Sequence, residues 1–204
     1  MGRRLWERGL VSGTDGNLSV RAGDRRVLIT CAGVAKGFLR DEDFLEVSLD
    51  GKTPGRRGKK PSTETPMHLA IYRARPDVSA VCHAHPPHAT AFAAAGRGIT
   101  SHVIPEILVV LGSVPLVPYA TPSSEALGTA VGEAAKTANA LLLENHGAVT
   151  LGKDITEAWA RMEMIDHTAR ILLLAEGLGG ANELPPEEVE LLGRLRRKLG
   201  IRAE

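Results

Sequence analysis

The chain has 204 residues, 43% of them hydrophobic, with 25 basic residues against 24 acidic. That length suffices for one domain spanning 1–204 with its own core, and the balanced charge gives no electrostatic reason to expect nucleic acid or an anionic membrane as partner. The two cysteines, Cys31 and Cys82, cannot build a disulfide framework and fit a reducing compartment. No apolar leader follows MGRRLWERGL and the longest apolar runs are too short to span a bilayer, so a soluble cytoplasmic protein is expected.

A glycine-rich opening, GLVSGTDGNLSVR, leads into β-type runs at 18–21 and 26–30; after the turn AGVAKG a third, FLEVSLDG, ends at Asp50 and Gly51. The three predict a meander. The basic run Arg56, Arg57, Lys59, Lys60 sits among glycines and prolines and reads as a solvated loop. STETPMHLAIYRARPD then places Met67, Ala70, Ile71 and Ala74 at helical spacing, with Ser62 or Thr63 as N-cap. VSAVCHAH, residues 78–85, is valine-rich and bounded by prolines, which predicts a strand; Pro86 and Pro87 open the helix HATAFAAAG, ended by Gly96.

VPLVPY reads as a short strand, SSEALGTAVGEAAK as a helix capped by Ser123 or Ser124, and ALLLENHG as a buried strand turned by Gly147. A long helix opens with Asp154 and Glu157, and PPEEVELLGRLRRKLG is a last amphipathic one. Hairpin-like strands followed by alternating strands and helices predict a three-layer α/β/α fold around a mixed, mainly antiparallel sheet. No G-x-G-x-x-G follows a strand and no Walker loop occurs, which excludes the common nucleotide-binding designs.

VCHAHPPH holds three of the seven histidines. On a strand, residues two apart project from one face, so His83 and His85 stand where one metal ion can bridge them. Catalytic zinc takes three protein ligands and keeps a position open. The third candidate is His146 in ENHG, at the end of another apolar strand, with His88 as its rival. His68, His102 and His167 stand apart and read as structural, Cys82 alternates away from the histidine face, and Cys31 has no neighbouring histidine to activate it.

Chemistry on a carbon acid also needs a base. Glu64 in PSTET stands at a helix start, where free N–H groups favour an anion, beside the hydroxyls of Ser62 and Thr63; a plain helix cap is the competing reading. Two glycine turns, TDGN and CAG, can turn backbone N–H groups toward a phosphate. Asp15, Glu106 and Glu144 lie near these motifs in supporting roles.

In this order, GTDGNLSVR, ITCAGVAKG, KPSTETPMHLAIYRARPDVSAVCHAHPPHATAFA, PLVPYATP and LLLENHGAVTLGKD resemble the class II aldolase/adducin family across residues 9–176, L-fuculose 1-phosphate cleavage being its best-known activity. The resemblance implies that His83, His85 and His146 hold one divalent metal per chain, zinc or else manganese or cobalt. It implies that Glu64 is the catalytic acid/base and can also coordinate the metal when no substrate is bound. Gly16, Asn17, Ala32, Gly33, Ser62 and Thr63 match the segments that hold the substrate phosphate. The implied assembly is a homotetramer with active sites at subunit interfaces.

The implied activity is that of a metal-dependent aldolase that cleaves a ketose 1-phosphate to dihydroxyacetone phosphate and an aldehyde. The metal acts as a Lewis acid toward the enediolate oxygens while Glu64 shuttles the proton. Some positions depart from the family pattern. PEILVVLG holds no tyrosine where the aldolases carry an acid, and Pro122 and Ala32 stand where an aromatic and a hydroxyl residue are usual. The helix before GLVSGT is mostly missing. These departures keep a sugar-phosphate 4-epimerase, a dehydratase or a decarboxylase on the same metal scaffold as alternatives, whereas the full ligand set separates the chain from the non-catalytic adducin head.

Overall fold

The computed structural model describes residues 1–54, 58–99 and 102–201. Its strands are β1 (Asn17–Arg21), β2 (Arg26–Thr30), β3 (Phe44–Ser48), β4 (Ala80–Ala84), β5 (Leu116–Val117), β6 (Ala140–Leu143) and β7 (Gly147–Gly152). Its helices are α1 (Gly2–Glu7), α2 (Thr65–Ala74), α3 (Pro87–Ala94), α4 (Pro105–Val110), α5 (Glu125–Ala134), α6 (Ile155–Glu176) and α7 (Pro186–Lys198). One seven-stranded sheet runs in the order β3-β2-β1-β4-β7-β6-β5, and every pair is antiparallel except β5 with β6. The N-terminal meander and the mixed sheet are thus as expected.

Strand β4 lies at the centre with both faces buried. Ala80, Cys82 and Ala84 join the cluster that holds Phe92 of α3 and Met162 and Ile165 of α6. Val81, on the opposite face, joins Met67 and Ile71 of α2 and Leu127 and Val131 of α5. Two buried faces explain why AVCHA shows no polar alternation of the half-exposed kind. Each fully buried Leu, Ile or Met contributes about 1.5–3 kcal/mol. Helix α5 approaches α2 across Gly132, where a Cβ would stand 3.1 Å from Ala70 Cβ.

Several local expectations are revised. Glu64, not Ser62 or Thr63, is the N-cap of α2. Ser62 instead shapes the preceding turn, its Oγ accepting from the Glu64 N–H at 3.3 Å and its carbonyl from Thr65 Oγ1 at 2.6 Å. ALLLENHG does not turn at Gly147: the chain reverses at 144–146, with Asn145 at φ 54°, and Gly147 opens β7. PEILVVLG contains α4, whose continuous apolar run carried no helical period, and the six-residue α1 precedes GLVSGT. Ser124 and Asp154 do cap their helices, accepting from the Leu127 N–H at 3.1 Å and the Glu157 N–H at 2.8 Å. Arg56 and Arg57 lie outside the described residues, while Lys59 pairs with Asp43 at 2.9 Å. Among the described residues no helix is long and apolar enough to cross a membrane.

Candidate functional site

The site forms where β4 ends. His83 is on β4 and His85 follows one residue past it, while the pairing of Ala84 with Ala148 lays the β6–β7 turn, and with it His146, alongside. The three rings are mutually tilted, with centroids 5.0 Å (His83–His85), 4.8 Å (His83–His146) and 5.1 Å (His85–His146) apart. One ligand atom from each lies within 4.8 Å of the others. His83 Nε2 and His85 Nε2 are 3.1 Å apart, close to the roughly 3.3 Å between two nitrogens on a tetrahedral zinc.

Glu64 faces this cluster from the start of α2. Its Oε2 is 3.1 Å from His83 Nε2 and its Oε1 3.2 Å from His146 Nε2. His83 commits its Nδ1 proton to the Ala148 carbonyl at 2.9 Å, so a neutral His83 presents a bare Nε2 to both His85 Nε2 and Glu64. More lone pairs than protons converge on one point. Glu64 Oε1 and His146 Nδ1 are buried without a hydrogen-bond partner. A cation placed there resolves the crowding, and neutral nitrogens with a carboxylate suit zinc and related divalent ions. The residues present therefore fit the metal that the resemblance implies.

The electrostatics agree. Burial, with His83 and His146 adding to it, pushes His85 down to about 4, which favours the neutral, ligating form. Burial alone would raise the Glu64 carboxyl, but positive charge on the His83 side, whether carried by protons on the histidines or by a cation among them, together with the Asn17 hydrogen bond, outweighs it and holds the group below the usual carboxylate range. Asp15 adds a carboxylate 3.6 Å from His85 Nδ1.

Beside the histidines is a cavity of about 160 Å³ bordered by Gly16, Asn17, Ala32, Gly33, Ser62, Thr63, Glu64 and His85. All the segments expected to hold a phosphate thus converge on one space. Gly16, at φ +72°, has no room for a side chain, because a Cβ would stand 2.6 Å from the His83 carbonyl oxygen. His88, the rival ligand, points elsewhere: Nδ1 pairs with Asp166 Oδ2 at 2.9 Å, and Asp166 Oδ1 accepts the His88 N–H at 2.8 Å, satisfying the start of α3. Glu144 accepts the Tyr119 N–H at 2.7 Å.

Two participants were not singled out from the sequence. Lys36 is 2% exposed, borders the same cavity, and donates from Nζ to the carbonyls of Thr14, at 2.7 Å, and Val34, tying the two glycine turns together. Its position in AGVAKG, beside one of those turns, was the available signal. His68, read as standing apart, is instead bonded to Asn17, whose amide Nδ2 donates to Glu64 Oε2 at 2.7 Å. A helix position four residues from Glu64 was the signal there.

The family model described as the class II aldolase and adducin N-terminal domain matches residues 1–173. The chain is 34% identical over 181 residues to the 3-oxo-tetronate 4-phosphate decarboxylase of Haemophilus influenzae, covering 87% of this chain and 85% of that one. It is 36% identical over 176 residues to the L-fuculose phosphate aldolase of Methanococcus maripaludis, covering 86% and 94%. Its fold matches the crystal structure of YgbL from Escherichia coli with a TM-score of 0.85 and 33% identity, over 94% and 93% of the two chains. A mixed α/β/α sandwich with a histidine cluster at the end of its central strand defines the class II aldolase type. The chain belongs to the class II aldolase/adducin family.

Proposed function

We propose that the chain is a divalent-metal-dependent carbon–carbon lyase acting next to the carbonyl of a phosphorylated sugar. In its first form it cleaves a ketose 1-phosphate of the L-fuculose 1-phosphate kind to dihydroxyacetone phosphate and an aldehyde. The observation that carries this reading is the Glu64 carboxylate, buried and 3.1–3.2 Å from two histidine Nε2 atoms, at the edge of the cavity bordered by both glycine turns. His83, His85 and His146 would hold the metal, with Glu64 as a further ligand in the absence of substrate. When bound, a divalent ion supplies Lewis acidity that stabilises negative charge on the substrate's oxygens.

The remaining work belongs to the chain. Gly16, Asn17, Ala32, Gly33, Ser62 and Thr63 bind the phosphate and so set which carbon stands before Glu64. Once the carbon–carbon bond breaks, the carbon that keeps the bonding pair needs a proton; Glu64, ionised at rest, passes on one that it first takes from solvent, and in the reverse direction it removes that proton and returns it to solvent.

A second reading, decarboxylation of a 3-oxo sugar acid phosphate, is favoured by one observation. Aldol cleavage must take a proton from the hydroxyl of the departing aldehyde, whereas loss of carbon dioxide needs no such transfer. Helix α4 and its flanks carry no tyrosine for that task, and Tyr72 is buried, which leaves the exposed Tyr119 as the one tyrosine of this chain that could perform it. Relatives of similar identity bear both names. Both reactions leave dihydroxyacetone phosphate, so its release from L-fuculose 1-phosphate or from 3-oxo-tetronate 4-phosphate identifies the reaction. Release from neither, with epimerisation or dehydration of one sugar phosphate instead, overturns the lyase reading. We further propose the homotetramer, in which subunit contacts would cover exposed apolar side chains such as Trp6, Phe38 and Leu174; sedimentation equilibrium tests it.

A further inference from the structure

A row of buried polar side chains leads away from Glu64 into the interior between β1 and α2. Asn17 and Ser19 share one face of β1, two residues apart, and Glu64, His68 and Tyr72 recur every four residues along α2 and its cap. The two rows interlock. Asn17 Nδ2 donates to Glu64 Oε2 at 2.7 Å, Asn17 Oδ1 meets His68 Nε2 at 2.5 Å, His68 Nδ1 meets Ser19 Oγ at 2.6 Å, and Ser19 Oγ meets Tyr72 Oη at 2.9 Å. Asn17, Ser19, His68 and Tyr72 are each at most 4% exposed.

The chemistry of these groups fixes the direction of every bond. An ionised carboxylate only accepts, so the Asn17 amide must turn its NH₂ to Glu64 and its oxygen to His68. An amide oxygen only accepts, so His68 carries its proton on Nε2. A neutral imidazole then accepts at Nδ1, which makes Ser19 the donor there, and a serine with its one proton spent must accept from Tyr72. All donors thus point toward Glu64. His68 is fully buried among neutral partners, where a charged ring would be costly, so the neutral ring that this order requires is the favoured one.

We propose that His68 is a positioning residue: held by Ser19 and Tyr72, it locks the Asn17 amide so that its N–H, and not its oxygen, faces Glu64. The consequence is that Glu64 is held at the histidine cluster by a donor that cannot flip. With one amide hydrogen given to Glu64 and its backbone paired with His83 in the sheet, Asn17 has its second amide hydrogen left to offer a phosphate. A buried polar row in place of apolar packing is costly unless every member is satisfied, and here each is satisfied in one arrangement only.

The inference rests on Glu64 as the acid/base, and its test separates the two claims. The full chain, zinc-loaded and labelled with ¹⁵N-histidine, is examined by long-range ¹H–¹⁵N correlation, with His68→Gln used to assign the signal. The expected pattern is a neutral ring protonated on Nε2 from pH 5.5 to 8.5, chosen as a range about the ordinary histidine value. A proton on Nδ1, or an imidazolium, overturns the proposed order whatever the enzyme does. The second readout is deuterium exchange into dihydroxyacetone phosphate by wild type, His68→Leu, His68→Gln and Ser19→Ala, at matched metal content. His68→Leu is expected to lower kcat roughly 10- to 100-fold with KM little changed, in the range typical of residues that orient a site from behind. His68→Gln, which keeps an N–H near the Nε2 position, restores most of it, and Ser19→Ala falls between. Equal kcat in all folded, metal-loaded variants overturns the positioning role. Absence of exchange in wild type overturns the Glu64 reading and the positioning role with it, whatever tautomer is seen.

Discussion

Gly147 stands so close to His85 that a Cβ built on it would lie 2.6 Å from the ring carbon Cδ2 and 2.6 Å from the Ala84 carbonyl oxygen. The backbone of β7 is therefore the wall that holds the His85 ring in the cluster. Gly147→Ala must push the ring away or part β4 from β7, an overpacking of the kind that costs about 1–3 kcal/mol. We expect a folded but less stable protein whose metal content, measured by plasma mass spectrometry, falls well below that of the wild type. Full metal content in Gly147→Ala would show that His85 is not held there or is not a ligand.

His68 gives a pH dependence of stability with a definite sign. Burial lowers its pKa to about 3 from the ordinary 6.5. Between those values the unfolded chain binds the proton and the folded one does not, so stability rises with pH. Its contribution is complete above about pH 6.5 and is lost as pH falls toward 3. Urea midpoints of EDTA-treated protein should drop from pH 7 to pH 5, and drop less in His68→Gln. Equal drops in the two proteins would mean that the folded state protonates His68 as readily as the unfolded one.

Lys36 ties the turn at Thr14 to the turn at Val34 through its Nζ. Hydrogen bonds from a charged donor contribute about 1.5–3 kcal/mol, and burial, which lowers the Lys36 pKa, reduces that figure. Lys36→Met should therefore lose about 1–2 kcal/mol in urea unfolding, and should raise KM for the phosphorylated substrate more than it lowers kcat, because the turns it joins border the phosphate cavity. A variant with unchanged KM would place the phosphate elsewhere.

The histidine pair was legible because a period of two on a strand is a local property, and the prolines around VSAVCHAH marked the strand locally too. The choice between His146 and His88 was not local. It depended on β4 pairing with β7, and GAVTLG was hidden behind the ENHG motif until that pairing showed the turn at 144–146. Helix α4 was missed because residues 107–111 form an unbroken apolar run that carries no period. His68 looked solitary because its partners, Asn17 and Ser19, lie 51 and 49 residues away in sequence. Each failure arose where a tertiary contact, not a local pattern, decides what a side chain does.

The central claim is that Glu64 moves a proton at the carbon beside the carbonyl of a phosphorylated substrate held at the histidine site. Incubating the metal-loaded protein with dihydroxyacetone phosphate in D₂O, and following the product by ¹H NMR, tests this without knowledge of the departing fragment. One hydrogen of the hydroxymethyl carbon should exchange stereospecifically, and Glu64→Gln should slow that exchange by about 10²- to 10⁴-fold while retaining the metal. No exchange by the metal-loaded wild type, or undiminished exchange in Glu64→Gln, would contradict the account.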